Sequence, residues 1–221
     1  GFGFSIMSTP FFILIFSPHD AIILNIILSI VMTLIMTYKV RNEINKELLK
    51  RLIKGSLLGL LPGLGIFTLL NVEVLKIFVG ILILVSTILL MKKIDIKQSN
   101  VKEYITGALS GFLTSSIGLC GPPLMIYFSG ARIEKAILRS TTMAYFLFIY
   151  SMSLFLQLSV YKISQTIVVA SLWSIPFILF GISLGDRFFK KLDQELLYRI
   201  IYWLLLLTGV YLLISTLKSF A

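Results

Sequence analysis

"SSIGLCGPPLMIYF", residues Ser115 to Phe128, lies inside a run of 28 residues, Tyr104 to Ala131, that holds no charged side chain. At about 1.5 Å per residue a straight helix of that length would reach ~42 Å, against roughly 30 Å of hydrocarbon in a bilayer. Gly118, Gly121, Pro122 and Pro123 fall in its middle. Glycine and proline are the poorest helix formers, so the run reads as two half-helices joined by a break. The fold depends on whether that break joins two crossings or turns the chain back.

Composition sets the surroundings. The chain of 221 residues is 57% hydrophobic and 14% charged, with a mean hydropathy of +0.98. A soluble domain of this size has too little interior for so much apolar surface, so the class is an all-α polytopic membrane protein. Uncharged stretches fall at 1–19, 21–38, 55–72, 77–91, 104–131, 140–161, 163–185 and 200–217. Most approach the ~20 residues a spanning helix needs. The formal net charge of +10 would point to nucleic acid in a soluble protein. Here 17 of the 20 basic residues sit in four segments between apolar stretches, 39–54, 92–103, 132–139 and 186–199. That is a topology signal, not a nucleic-acid patch, and it assigns all four segments to the cytoplasm. One cysteine, Cys120, leaves no intrachain disulfide, and one histidine, His19, leaves no His/Cys zinc cluster, so neither metal nor cofactor is expected. Residues 1–16 lack the basic flank of a signal peptide, and the abrupt opening on "GFGFS" leads us to expect chain upstream of Gly1.

Both flanks of 104–131 carry cytoplasmic charge, so the segment should enter and leave the membrane on one side. A re-entrant hairpin satisfies this, whereas a single crossing would strand 92–103 or 132–139 outside. Irregular backbone at that depth is tolerated only where protein buries it or it lines a polar cavity.

The two halves of the chain also read alike. "GFGFSI" (1–6) parallels "GLCGPP" (118–123), "DAIILN" (20–25) parallels "KAILRS" (135–140), and 62–90 parallels 180–213. Each half is expected to be one hairpin followed by three helices. Three crossings between equivalent points make the halves inverted. The expected organisation is a first repeat at 1–91, a cytoplasmic linker at 92–103 and a second repeat at 104–221, the first hairpin being incomplete. Inverted repeats with interrupted segments at matching positions are characteristic of secondary transporters.

With these residues in view the chain resembles the TauE/SafE family of sulfite exporter or permease-like membrane proteins, which carry a glycine-rich motif once per half at a broken segment. The second copy is Gly118, Cys120, Gly121, Pro122 and Pro123; the first is Gly1, Gly3, Phe4 and Ser5. The pair Gly107 and Gly111, and a third helix in each half broken at Pro62, Gly63 and Gly65 or at Pro176, Gly181 and Gly185, fit the same pattern. The resemblance implies transport of small anions, including sulfite and organosulfonates, across the plasma membrane.

Elementary chemistry at the tips leads in the same direction. A half-helix starting at Pro122 or Pro123 uses proline where no intrahelical donor is needed. The amides of Leu124 and Met125, with Gly121 just before them, would present the positive end of a helix dipole to an anion without a buried lysine. The carbonyl end of the preceding half-helix, closed by Gly118, suits a coupling cation, Na⁺ or a water-borne H⁺. Thr114, Ser115 and Ser116 would add hydroxyls, and Ser5 and Ser8 would do so in the first half. The candidate substrate-binding set is therefore Gly1, Gly3, Ser5, Ser8, Ser115, Ser116, Gly118, Cys120, Gly121, Pro122, Pro123 and Leu124, with membrane lipid around the bundle. Duller roles exist for each: back-bonding for the hydroxyls, close packing for the glycines, a small filler for Cys120 and an outer loop for His19. A glycine-lined anion channel and a non-transporting structural or receptor protein stay open as rivals. An intramembrane enzyme does not fit, because no Asp or Glu lies within an apolar span and the one His, His19, stands at the end of one.

Overall fold

A computed structural model describes residues 2–69, 97–131 and 133–189, with scattered positions between 71 and 88 and between 203 and 214. Among them the chain forms seven long helices and no strand: α1 (Phe2–Ile15), α2 (Pro18–Val40), α3 (Lys46–Leu69), α4 (Asn100–Ile117), α5 (Gly121–Ala131), α6 (Lys135–Val160) and α7 (Gln165–Phe189). Four of them, α2, α3, α6 and α7, are long and apolar enough to cross a membrane. About half of the expected span at 77–91, residues 92–96 of the expected linker, most of 190–217 and Gly1 lie outside the described residues.

The segment 104–131 is broken where its sequence requires. α4 ends at Gly118, which adopts φ 73°, a left-handed conformation that a side chain would disfavour. The Gly118 N–H donates to the Thr114 carbonyl at 2.9 Å and the Leu119 N–H to the Leu113 carbonyl at 3.3 Å. After Cys120 the chain re-enters a helix, and the second arm then runs back along the first. Tyr127, in α5, donates its hydroxyl to Glu103 in the first turn of α4 at 3.1 Å. The arms are unequal, 18 residues in α4 and 11 in α5.

Packing is densest between α3 and α4, and glycine is the reason. Gly55, Gly59 and Gly63 recur every four residues along α3 and face the backbone of Tyr104, Ala108 and Phe112. Gly107 and Gly111 on α4 face Leu52 and Ser56 in return. A methyl at Gly59 would overlap the Ala108 carbonyl oxygen and lie 2.7 Å from the Phe112 nitrogen. Small residues at this spacing let two helices meet backbone to backbone, the contact that associates helices in lipid, where burial from water is no longer a driving force.

α2 is the enclosed helix, with 61% of its apolar window buried, whereas only 11% is buried in α7. α7 presents Leu172, Trp173, Phe177 and Phe180 outward, and α3 presents Leu58 and Leu61. These are faces for hydrocarbon. Two expectations change. The third helices are not broken at proline, because α3 runs through Pro62 and α7 through Pro176. A proline removes one ladder bond, here the one to the carbonyl four residues back, and the turns on either side hold the helix together. Where they are described, the basic segments are also largely helical: only 41–45 separates α2 from α3, with a 3₁₀ turn at Arg41–Glu43. Lysine, arginine and glutamate are good helix formers, so the helices extend past the apolar stretches.

Candidate functional site

The hairpin tip is deeply buried. Ser115, Ser116, Gly118, Cys120, Gly121, Pro122 and Leu124 are all buried, and Pro123 is half-buried. α5 begins at Gly121, earlier than the prolines alone indicate. The N–H groups ahead of its ladder are therefore those of Cys120 and Gly121, while a Leu124 N–H in this register faces the Cys120 carbonyl four residues back. The Cys120 carbonyl also accepts a bond of 2.5 Å from Ser110 Oγ.

The first-copy residues come to the same place through partners on α2 and α6. Ser8, in α1, donates to Asn25 Oδ1 at 2.6 Å, and Asn25 Nδ2 donates to the Gly118 carbonyl at 3.1 Å. Asn25 thus joins α1 to the hairpin tip. Ser5 hydrogen-bonds the Tyr150 hydroxyl and lies 3.5 Å from Ser29 Oγ. Gly3 lies within α1.

The hydroxyls of α4 point the other way from an anion site. Ser115 donates to the Leu60 carbonyl (2.6 Å), Ser116 to the Phe112 carbonyl (2.8 Å) and Thr114 to the Ser110 carbonyl (2.6 Å). Ser153 and Gln157, on α6, donate to the Thr114 and Ser115 carbonyls at 3.3 and 2.9 Å. The tip is consequently polarised, with carbonyl oxygens gathered where α4 ends and amide hydrogens where α5 begins.

Sequence reasoning alone passes over Asn25, Ser29, Ser110, Ser153 and Gln157 and reads Tyr150 as a packing or interface aromatic; all six are buried here. A signal for two of them exists: Asn25 is the sole amide side chain in 21–38 and Gln157 the sole one in 140–161. A primary amide in an apolar span needs a partner within the protein.

Two further side-chain clusters join the described helices. In one, Glu103, 5% exposed, receives the Arg51 guanidinium from α3 and the Tyr127 hydroxyl from α5. In the other, His19 belongs to the first turn of α2 and not to a loop. Its ring stacks on Tyr161 at 5.3 Å, meets Phe67 edge-on at 4.8 Å and bonds the Phe67 carbonyl through Nε2 at 2.8 Å.

Among the described residues, Glu103 is the one charged side chain in the buried set, and no group of three or more His, Cys, Asp or Glu converges as a metal site. Cys120 is enclosed by hydroxyls and backbone and has no base to activate it.

The model of the sulfite exporter TauE/SafE family matches residues 1–212. No curated protein and no solved structure gave a match. Members of that family are membrane transporters and not enzymes, in keeping with a buried polar tip inside an apolar helical bundle. The chain belongs to the TauE/SafE sulfite exporter family.

Proposed function

We propose that this protein is a secondary transporter that exports a small anion such as sulfite or an organosulfonate from the cell, working in the plasma membrane by alternating access between two inverted repeats. The observation that carries this reading is the buried, polarised hairpin tip at Gly118–Gly121, linked through Asn25 to α1. Irregular backbone held at that depth by side chains from α1, α2 and α6 is the arrangement in which transporters bind solutes.

The repeat reading has support from helix register. α2 and α3 begin at residues 18 and 46, α6 and α7 at 135 and 165, separations of 117 and 119. The sequence pairing of 1–6 with 118–123 has the same offset of 117. Packing is reciprocal as well: α2 lies against α6, α2 also against α7, and α6 against α3. Exchanging α2 with α6 and α3 with α7 maps these contacts onto one another. By that equivalence the Gly1–Gly3 stretch corresponds to the tip at Gly118–Gly121.

Two half-helix starts facing one cavity would together carry about one positive elementary charge, enough to hold a monoanion without a buried lysine. Ser5 and Ser8 would exchange their present partners for the anion. The test is reconstitution of the full chain in liposomes loaded with sulfite, sulfate, an alkanesulfonate or a carboxylate. Saturable flux of sulfite or sulfonate, driven by an ion gradient, supports the reading. Unitary currents in a planar bilayer would make the protein a channel, and no flux of any of these would refute transport of this class.

A further inference from the structure

We propose that the protein binds a small monovalent cation, Na⁺, at a second site, where the carbonyl end of α4 meets Gln157 of α6. Gln157 is fully buried and its side-chain amide is half used. Nε2 donates to the Ser115 carbonyl at 2.9 Å, while Oε1, also buried, has no hydrogen-bond partner. The bond to Ser115 fixes the orientation of the amide, since a carbonyl oxygen accepts only from its nitrogen. A buried acceptor is thus left without a donor on the residue that meets the carbonyl end of α4.

The neighbouring groups share that character. Ser115 spends its proton on the Leu60 carbonyl, Ser153 on the Thr114 carbonyl and Thr114 on the Ser110 carbonyl. Each hydroxyl oxygen keeps its lone pairs and has no proton left to offer. The last carbonyls of α4 add the negative end of a helix dipole. No lysine or arginine stands in the buried set among the described residues. Such a place is built of hard oxygen acceptors.

The ligand class follows from what is present. Oxygen ligands without sulfur or imidazole select a hard ion. No carboxylate stands among these groups, so the second charge of Mg²⁺ or Ca²⁺ would be uncompensated, which favours a monovalent ion. On the adjoining turn the Tyr161 N–H donates to the Gln157 carbonyl at 2.8 Å, and the Tyr161 ring is stacked on His19. The site depends only on these residues, whatever anion the protein carries.

The experiment compares melting temperatures of the purified full chain in NaCl and in choline chloride at equal ionic strength, with Na⁺ the only variable. The expected result is a saturable rise of a few degrees in Na⁺ that is lost in Gln157→Leu. Equal melting temperatures in the two salts overturn the proposal from the wild-type protein alone, as they would if water filled the space. A Na⁺ shift that survives in Gln157→Leu overturns the assignment to this place.

Discussion

The seam between α3 and α4 offers a sharp test of how the hairpin is held. In Gly59→Ala the added methyl would overlap the Ala108 carbonyl oxygen and sit 2.7 Å from the Phe112 nitrogen, where 3.4–4 Å is ordinary contact. Both neighbours are backbone atoms of a helix and cannot rotate away, so α3 and α4 must part by roughly an ångström. A gap of ~0.5–1 Å forfeits a quarter to a half of the attraction at each contact it opens. The seam has five glycine contacts, so the loss spreads beyond the mutated site. Overpacking of this kind costs about 1–3 kcal/mol, and the better helix propensity of alanine returns at most ~1 kcal/mol. The expected net loss is about 1–2 kcal/mol, a fall in melting temperature of roughly 2–8 °C for a chain of this length. Gly181→Ala is the control, because a methyl there meets open space. It should be neutral or slightly stabilising in the same detergent melt. If Gly59→Ala melts with Gly181→Ala, the backbone-to-backbone seam is wrong.

Other expectations follow from single residues. Gly118→Val forces a branched side chain into φ 73° and brings its Cβ to 3.1 Å from Asn25 Nδ2; left-handed backbone costs an L-residue about 1–2 kcal/mol, so it should melt well below Gly118→Asn, which tolerates that region. Glu103→Gln leaves the Arg51 guanidinium without its buried carboxylate; a loss of about 1–3 kcal/mol is expected, and a cycle with Arg51→Met should show that most of it is coupling between the two. With Cys120 replaced by alanine, a cysteine at Glu134, an exposed position between α5 and α6, should react with an impermeant maleimide only from the cytoplasmic face; reaction only from outside would refute the re-entrant hairpin.

The glycine and proline residues made much of this architecture legible. Four of them in 118–123 marked a break that the backbone realises through the left-handed Gly118. The pair Gly107 and Gly111, read in the sequence only as part of the family pattern, is where α3 packs. Charge placement put the ends of the hairpin together, and the Glu103–Tyr127 bond closes it there. Pro62 and Pro176 misled because proline weakens one turn, and whether the helix survives depends on its neighbours. The site was less legible for a related reason. Serine and threonine are common in membrane helices, and only the fold decides whether a hydroxyl spends its proton on its own helix, as Thr114 does, or across the bundle, as Ser115 does. Asn25 and Gln157 carried a signal in being amides in apolar spans, and their partners, Gly118 and Ser115, lie far off in sequence.

The central claim is that backbone at the hairpin tip, more than any charged side chain, handles the anion. Sulfite flux through the reconstituted full chain, compared with Gly121→Leu, tests it most directly. The leucine would put a bulky side chain at the start of α5, beside the donors of Cys120 and Gly121, in a segment separate from the four long spanning helices. Loss of saturable flux in a variant that still inserts and melts as one folded species is the predicted result. Flux at the wild-type rate from that variant would contradict the account.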